Sequence, residues 1–228
     1  MKPGDAPAPI ATGFLAALEE PERADLLDRG RRRRYRRGAV VFHEGGGSDE
    51  IVVVLAGRVK VSTVTAEGKE VVLAFRGPGD LLGELSAIDG EARSATVGAL
   101  EPVEAAVVAA SEFRAFLSAH PRVAILLLEM LARRLRDADR KRVEFGAHDT
   151  LGRVSARLVE LAERYGEPVA DGVRITLPLS QEELAGWTGS SREAVGKALH
   201  ALRGLGWVRT ERRRITVLEM EPLRRRSM

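Results

Sequence analysis

Apolar and polar positions change their period twice along this chain. Between Gly38 and about Ala110 the apolar residues come in short runs, at 39–42, 51–55, 59–65, 71–75 and 103–109. Gly45, Gly57, Gly68, the Gly77-Pro78-Gly79 turn and Asp89-Gly90 separate them. Short strands punctuated by glycine turns at this spacing predict an antiparallel roll or barrel. A short helix is expected before them at 14–30, and another after them at 111–117. Pro121 suits the first turn of a helix and opens a long one to about Phe145. There Leu128, Leu131, Leu135, Ala138, Arg142 and Phe145 alternate spacings of three and four, a heptad seam interrupted by Arg142. The seam fits either a two-helix dimer interface or packing on the helix's own domain. The arginines and Lys141 around it leave few other faces apolar, which favours the dimer. Gly146 then breaks the helix, Asp149 caps another that ends near Tyr165, and 168–176 reads as a hairpin-like link.

The segment 179–202 follows a different pattern. Ser180 with Glu183 three residues on forms a capping box, and Leu179 and Leu184 flank it as a hydrophobic staple does. Gly189 supplies a turn, and Ser191 caps a second helix. On that helix Val195, Ala198, Leu199 and Leu202 form a face to bury. Arg192, Glu193, Gly196, Lys197 and His200 lie opposite. Arg192 and Glu193 fall in the first turn, the part of a recognition helix that enters the major groove. Arg can donate two hydrogen bonds to guanine, and Glu can accept one from cytosine. Beyond it, Arg212, Arg213 and Arg214 between two apolar runs suggest a basic wing that touches phosphates.

Charge sharpens this picture. The net charge is only +3, but residues 180–228 carry 10 Lys and Arg against 6 Asp and Glu, while residues 1–179 carry 26 against 27. The excess sits with the helix-turn-helix, as a nucleic-acid footprint does. A second basic run, Arg31 to Arg37, precedes a strand and reads as a solvated strand edge. The chain has no cysteine, which excludes disulfides, thiolate nucleophiles and cysteine-ligated clusters and fits a reducing cytoplasm. His43, His120, His148 and His200 are scattered, so no metal site is expected. No apolar run is long enough to cross a membrane, and residues 1–13 read as a disordered arm rather than a signal peptide. No catalytic constellation stands out, so the chain is not expected to be an enzyme.

A second motif lies between the strands, from Gly83 through Glu84, Leu85, Arg93 and Ser94 to Ala95. Glycine before a short helical turn exposes backbone N–H groups to an anion. Arg93 can pair with a phosphate through two parallel bonds, and Ser94 adds a hydroxyl. An ionised Glu84 only accepts, so it suits a sugar hydroxyl. The set fits a nucleotide with one phosphate near its ribose. It fits equally a surface turn with a local Glu84–Arg93 ion pair. Loss of Arg93 is expected to spare the fold, since no apolar core residue is removed.

This segment resembles the phosphate-binding cassette of the cyclic-AMP receptor protein family, which is also the family of the fumarate–nitrate reductase regulators. The long basic helix and the helix-turn-helix with Ser191-Arg192-Glu193 resemble it too, in the same order, from Phe14 to Val217. The resemblance implies an α+β chain: a cyclic-nucleotide-binding roll at 14–120, a long dimerisation helix at 121–146, and a winged helix-turn-helix at 147–228. It implies a cytoplasmic, homodimeric transcription regulator with double-stranded DNA and RNA polymerase as partners and cyclic AMP as allosteric ligand. Glu84 would hold the ribose hydroxyl, and Arg93 and Ser94 the cyclic phosphate, helped by the backbone near Gly83 and Leu85. Arg192, Glu193 and Lys197 would read bases, Ser180, Gln181 and Ser191 would touch phosphates, and Arg213 would do so from the wing. Leu128, Leu131, Leu135, Ala138 and Phe145 would form the dimer seam. Two positions depart from the pattern. Lys197 stands where the best-known members have Arg, and Ala138-Asp139 stands where they place Thr-Ser against the adenine. The second departure leaves open another cyclic nucleotide, or none. A regulatory subunit acting on a protein partner would have no use for the exposed Arg192 and Glu193.

Overall fold

Strands β3 (Glu50–Ala56) and β8 (Val103–Ala109) are apolar at nearly every position because both of their faces are covered. Ile51 and Val53 on one face of β3, with Ala106 and Val108 of β8, pack among helical side chains including Phe113, Phe116, Val123 and Leu127. Val52, Val54, Ala105 and Val107 point the other way, into a second cluster with Val59, Leu82 and Val97 between the sheets. A strand sandwiched on both sides reads as a continuous apolar run rather than an alternating one. The computed structural model describes residues 13–47, 49–211 and 214–227. The N-terminal arm before Gly13 and the wing residue Arg213 lie outside the described residues.

The chain divides into two compact units: residues up to Thr63 with Leu73–Leu135, and Val64–Val72 with Arg136–Met228. The first unit is the expected antiparallel roll. One sheet has the order β1-β8-β3-β6, with β1 at Gly30–Tyr35 and β6 at Leu81–Leu82. The other has the order β2-β7-β4-β5, with β2 at Val40–Phe42, β4 at Val59–Val64, β5 at Glu70–Arg76 and β7 at Thr96–Ala99. The basic run does not merely precede a strand. β1 is itself a strand, paired with β8 in antiparallel register from Gly30 opposite Val108 to Tyr35 opposite Val103. Its low intrinsic preference is overridden by this ladder and by the buried Tyr35.

The single helix expected at 14–30 is two, α1 (Gly13–Ala16) and α2 (Glu20–Asp28). Glu19 and Glu22 form a capping box and Pro21 occupies the first turn, so a new helix starts there. α3 (Glu84–Asp89) and α4 (Ala110–Ala119) follow, then α5, which runs unbroken from Pro121 to Ala147. Val123, Leu127 and Met130 of α5 are buried against the roll. Another face leaves Leu128 60% and Leu135 64% exposed, with Ile125 beside them. Leu131 lies between the two faces, partly buried against the roll's core.

In the second unit α6 (Thr150–Tyr165) buries Val154, Leu158 and Leu161. The Asp149 carboxylate caps it, accepting from the Gly152 N–H at 2.8 Å. The link reads out as a hairpin, β9 (Gly166–Val169) and β10 (Gly172–Ile175). α7 (Gln181–Thr188) and α8 (Arg192–Gly204) form the helix-turn-helix. β11 (Val208–Glu211) and β12 (Arg214–Val217) form the wing. Hairpin and wing fuse into one sheet of order β11-β12-β10-β9, because β10 pairs with β12. α9 (Met220–Arg226) closes the unit with a fully buried Leu223.

Candidate functional site

The end of β6 delivers the chain to Gly83, whose φ of +77° is left-handed. The backbone therefore favours glycine, and a Cβ there would stand 2.2 Å from Nη1 of Arg93 and push the guanidinium aside. Arg93 is only 5% exposed. Its main chain is tied to the neighbouring loop by Gly45 N–H to Arg93 O at 2.8 Å and Arg93 N–H to Gly46 O at 3.1 Å. Its guanidinium donates to the Gly83 carbonyl at 2.9 Å and to the Glu50 carbonyl, and lies 4.5 Å from the centroid of the Phe42 ring. The Nε–H is buried and, among the described residues, has no hydrogen-bond partner. Burial holds this guanidinium below its ordinary pKa, and the charges of Glu50, Asp49 and Glu84 oppose that only in part. Arg93 is therefore a desolvated cation hydrogen-bonded to neutral carbonyls, an arrangement an anion would relieve.

Glu84 does not pair with Arg93. Its Oε1 instead accepts from Nη1 of Arg134 on α5 at 2.5 Å, and Arg134 also donates to the Leu81 carbonyl at 3.0 Å. Glu84 is buried, and among the described residues its Oε2 accepts no hydrogen bond. That leaves one carboxylate oxygen to take a hydroxyl donor. The reading of this segment as a turn with a local Glu84–Arg93 ion pair is thus corrected: tertiary contacts draw the two groups to different partners. Arg93 also ties β3 to Gly83 through its side chain, a structural contact the sequence did not reveal. Ser94 and Leu85 are exposed beside the cassette. Ser86 Oγ donates to the Ala92 carbonyl at 3.3 Å and closes the loop. Sequence reasoning missed Arg134, Phe42 and the Glu50 carbonyl. Only the folded chain brings them near Arg93 and Glu84, and no local pattern marks them. Ala138 and Asp139 lie exposed on α5.

The helix-turn-helix forms as its caps require. Ser180 Oγ accepts from the Glu183 N–H at 3.1 Å while the Glu183 carboxylate accepts from the Ser180 N–H at 2.7 Å. Gly189 ends α7 with φ +59°, and Ser191 Oγ accepts from the Ala194 N–H at 3.1 Å. Val195, Ala198, Leu199 and Leu202 are buried. Gln181, Ser191, Arg192, Glu193 and Lys197 are exposed. Among the described residues, the side chains of Arg192, Glu193 and Lys197 make no hydrogen bond or ion pair, and all three are exposed to solvent. Arg153, which the sequence did not single out, staples the turn. It donates to the Thr188 carbonyl at 2.8 Å and to Ser190 Oγ at 3.2 Å.

Residues 32–120 match the family model of the cyclic nucleotide-binding domain, and residues 152–226 match that of the Crp-like helix-turn-helix domain. The CRP-like cAMP-activated global transcriptional regulator of Mycobacterium tuberculosis is 34% identical over 177 residues, 78% of this chain and 79% of that protein. The cyclic AMP receptor protein of Thermus thermophilus is 34% identical over 190 residues, 83% of this chain and 85% of that one. The chain belongs to the CRP/FNR family. As a CRP/FNR-family transcription regulator it joins a cyclic-nucleotide-binding roll to a DNA-binding helix-turn-helix. Solved structures agree on the fold. FixK2 from Bradyrhizobium japonicum superposes with a TM-score of 0.78 at 23% identity, covering 87% of this chain and 98% of that one. The c-di-GMP responsive regulator CLP of Xanthomonas campestris does so with a TM-score of 0.78 at 23% identity, covering 87% of this chain and 99% of that one. No single described helix is long and apolar enough to cross a membrane.

Proposed function

We propose that this CRP/FNR regulator is a cytoplasmic homodimer whose affinity for palindromic operators is set by cyclic AMP. The observation that carries the ligand is Arg93, a buried guanidinium with an unpartnered Nε–H and neutral partners only. A cyclic phosphate supplies the missing negative charge, Ser94 adds a hydroxyl, the backbone around Gly83 and Leu85 completes the phosphate shell, and Glu84 Oε2 takes the ribose hydroxyl. The names of the Mycobacterium and Thermus relatives support cyclic AMP as the nucleotide. The dimer is supported by α5, whose exposed Leu128 and Leu135 continue toward Ala138 and Phe145 and have nothing of their own chain to cover them fully. Leu131 joins this seam with whatever surface the roll leaves it. Arg192, Glu193 and Lys197 read bases, while Ser180, Gln181, Ser191 and Arg213 hold phosphates. RNA polymerase is the partner on bound DNA, and regulation rather than catalysis is the chain's work.

A second reading of the nucleotide rests on Ala138-Asp139. An ionised Asp139 accepts from the exocyclic amine of adenine, and equally from the amine and ring N–H of guanine. Calorimetric titration with cyclic AMP and cyclic GMP separates the two, followed by DNA affinity with and without each. Cyclic AMP is expected to tighten binding to a selected palindrome by roughly 5–150-fold, the usual range of allosteric coupling. Equal DNA affinity with and without it overturns cyclic AMP as the switch. Sedimentation of the same protein should show a dimer that Leu135→Glu dissociates, since two like charges would meet in an apolar seam. A variant that stays dimeric moves the interface elsewhere.

A further inference from the structure

The end of α5, residues 136–147, belongs to the second compact unit together with α6 and α7. There it is tied to both helices. The Trp187 ring of α7 is only 4% exposed and faces two cations. Lys141 Nζ of α5 stands 5.2 Å from its centroid, and the Arg157 guanidinium of α6 stands 5.3 Å from it. Arg157 is itself buried, and its fork donates to Glu160 on its own helix at 2.7 Å and to Glu144 on α5. Lys141 lies 3.8 Å from Glu160. One residue after Glu144, Cε1 of Phe145 is 2.4 Å from where Gly189 would carry a Cβ, at the turn of the helix-turn-helix. Arg153 lies 5.7 Å from that ring while it holds the His148 carbonyl at 2.5 Å and the Thr188 carbonyl at 2.8 Å. Exposed ion pairs hold little, but a buried fork with two carboxylates and a cation over an indole is a rigid arrangement.

We infer that this cluster sets which spacing of half-sites the regulator accepts, with Lys141, Glu144 and Arg157 as positioning residues. The inference rests on the proposed dimer on palindromic DNA. In such a dimer each recognition helix keeps its place through whatever fixes it to the shared helix, α5. Gly146 alone would make a loose elbow between α5 and α6, and a loose elbow fits several spacings. The cluster closes that elbow from two sides: on α7 through Trp187, and on the turn through Phe145, two residues before the α8 cap at Ser191. One inserted base pair moves a half-site by about 3.4 Å and turns it by about 35°. A packed joint does not absorb such a shift without breaking contacts. None of the three positioning residues is assigned to a base, a phosphate or the nucleotide, so their effect falls on spacing rather than on base preference.

The test uses the full chain and a palindrome selected by the native protein, as selected and with one base pair inserted at its centre. The double variant Lys141→Met with Glu144→Gln loses one charge of each sign, so its non-specific attraction to DNA is kept. The native protein should bind the inserted palindrome on the order of 100-fold more weakly, part of the roughly 10³–10⁷ that separates specific from non-specific binding. The double variant should lose under about 10-fold on the same insertion, with the native base preference inside each half-site. Lys141→Arg keeps a cation for the Trp187 ring and should keep the native ratio. Thermal midpoints on the same preparations separate positioning from stability. A double variant with the native spacing ratio overturns the inference, and a lowered midpoint beside that ratio makes the cluster structural only. Should the double variant fail to fold, Lys141→Met alone, at a side chain still 23% exposed, carries the comparison and should give an intermediate ratio. A native protein that sediments as a monomer, or binds both spacings alike, fails the dimer reading itself and the inference with it.

Discussion

Arg93 and Arg192 carry the same guanidinium into opposite surroundings. Arg93 is buried, held by two carbonyls and an aromatic face before any ligand arrives. Arg192 stands exposed with no side-chain partner among the described residues, carried by the first turn of α8. The first site is organised at a cost in desolvation, so under the proposed function a small anion would meet a preformed, strongly attracting socket. The second keeps its side chain in water, and in the proposed function it would discriminate base edges by hydrogen bonding at modest gain. Deep burial suits recognition of one small molecule. Exposure on a rigid scaffold suits the reading of a long polymer.

The sharpest way to break this contrast is at Arg93. Arg93→Ala should abolish measurable cyclic-AMP binding, a loss of several kcal/mol for a buried charge pair. It should also lower the thermal midpoint, because the Gly83 and Glu50 carbonyls lose a donor at about 1–3 kcal/mol each. Calorimetry and thermal denaturation on one preparation read both. Lost ligand with an unchanged midpoint would mean that Arg93 is no structural tie.

Arg192→Ala should act on one function only. Affinity for the selected palindrome should fall by about 1–3 kcal/mol per half-site and selection at one guanine should relax, while the thermal midpoint stays in place. Footprinting on the native and base-substituted palindromes checks it. An unchanged footprint removes Arg192 from base reading.

The smallest effect lies at Asp149, which caps α6 in the DNA-binding unit. The Gly152 N–H is the main cause holding its carboxyl below the usual Asp range, with the Arg226 guanidinium helping. A depressed folded value means that this contribution is complete above the unfolded pKa of about 3.9 and is lost as pH falls through the folded value. Asp149→Asn keeps a cap but removes the charge, so the difference should be under about 1 kcal/mol for a carboxylate this exposed. Urea midpoints should differ at neutral pH and converge in acid. A difference that persists in acid would assign the effect to shape rather than charge.

What the sequence made legible was whatever local rules decide. The caps at Ser180, Ser191 and Asp149 need only a side chain and an N–H two or three residues on, and all three form. The apolar runs of β3 and β8 were equally plain, since double-sided burial leaves no polar interruption. β1 was legible only as a solvated strand edge and not as a strand in itself, because four arginines outweigh any local preference and its ladder with β8 makes it a strand. β6 and β7 are two and four residues long, too short to carry a period. At the cassette the residue types were legible but their partners were not. Glu84 and Arg93 are near in sequence and opposite in charge, yet each finds its partner elsewhere: Arg134, fifty residues on, for Glu84 and the Glu50 carbonyl for Arg93.

The pairing of β1 with β8 also sets an order of events during synthesis. Gly30 waits for Val108, and Tyr35 for Val103, before β1 can join its sheet, whereas β8 finds β3 already made. At about 5–20 residues per second the ribosome takes several seconds to supply that partner. Through this interval the nascent β1 is a strand without a ladder, the state in which chains on one message stick to each other. A run of like charge disfavours pairing between two such edges, so the residues that close the finished sheet also suit its unfinished state.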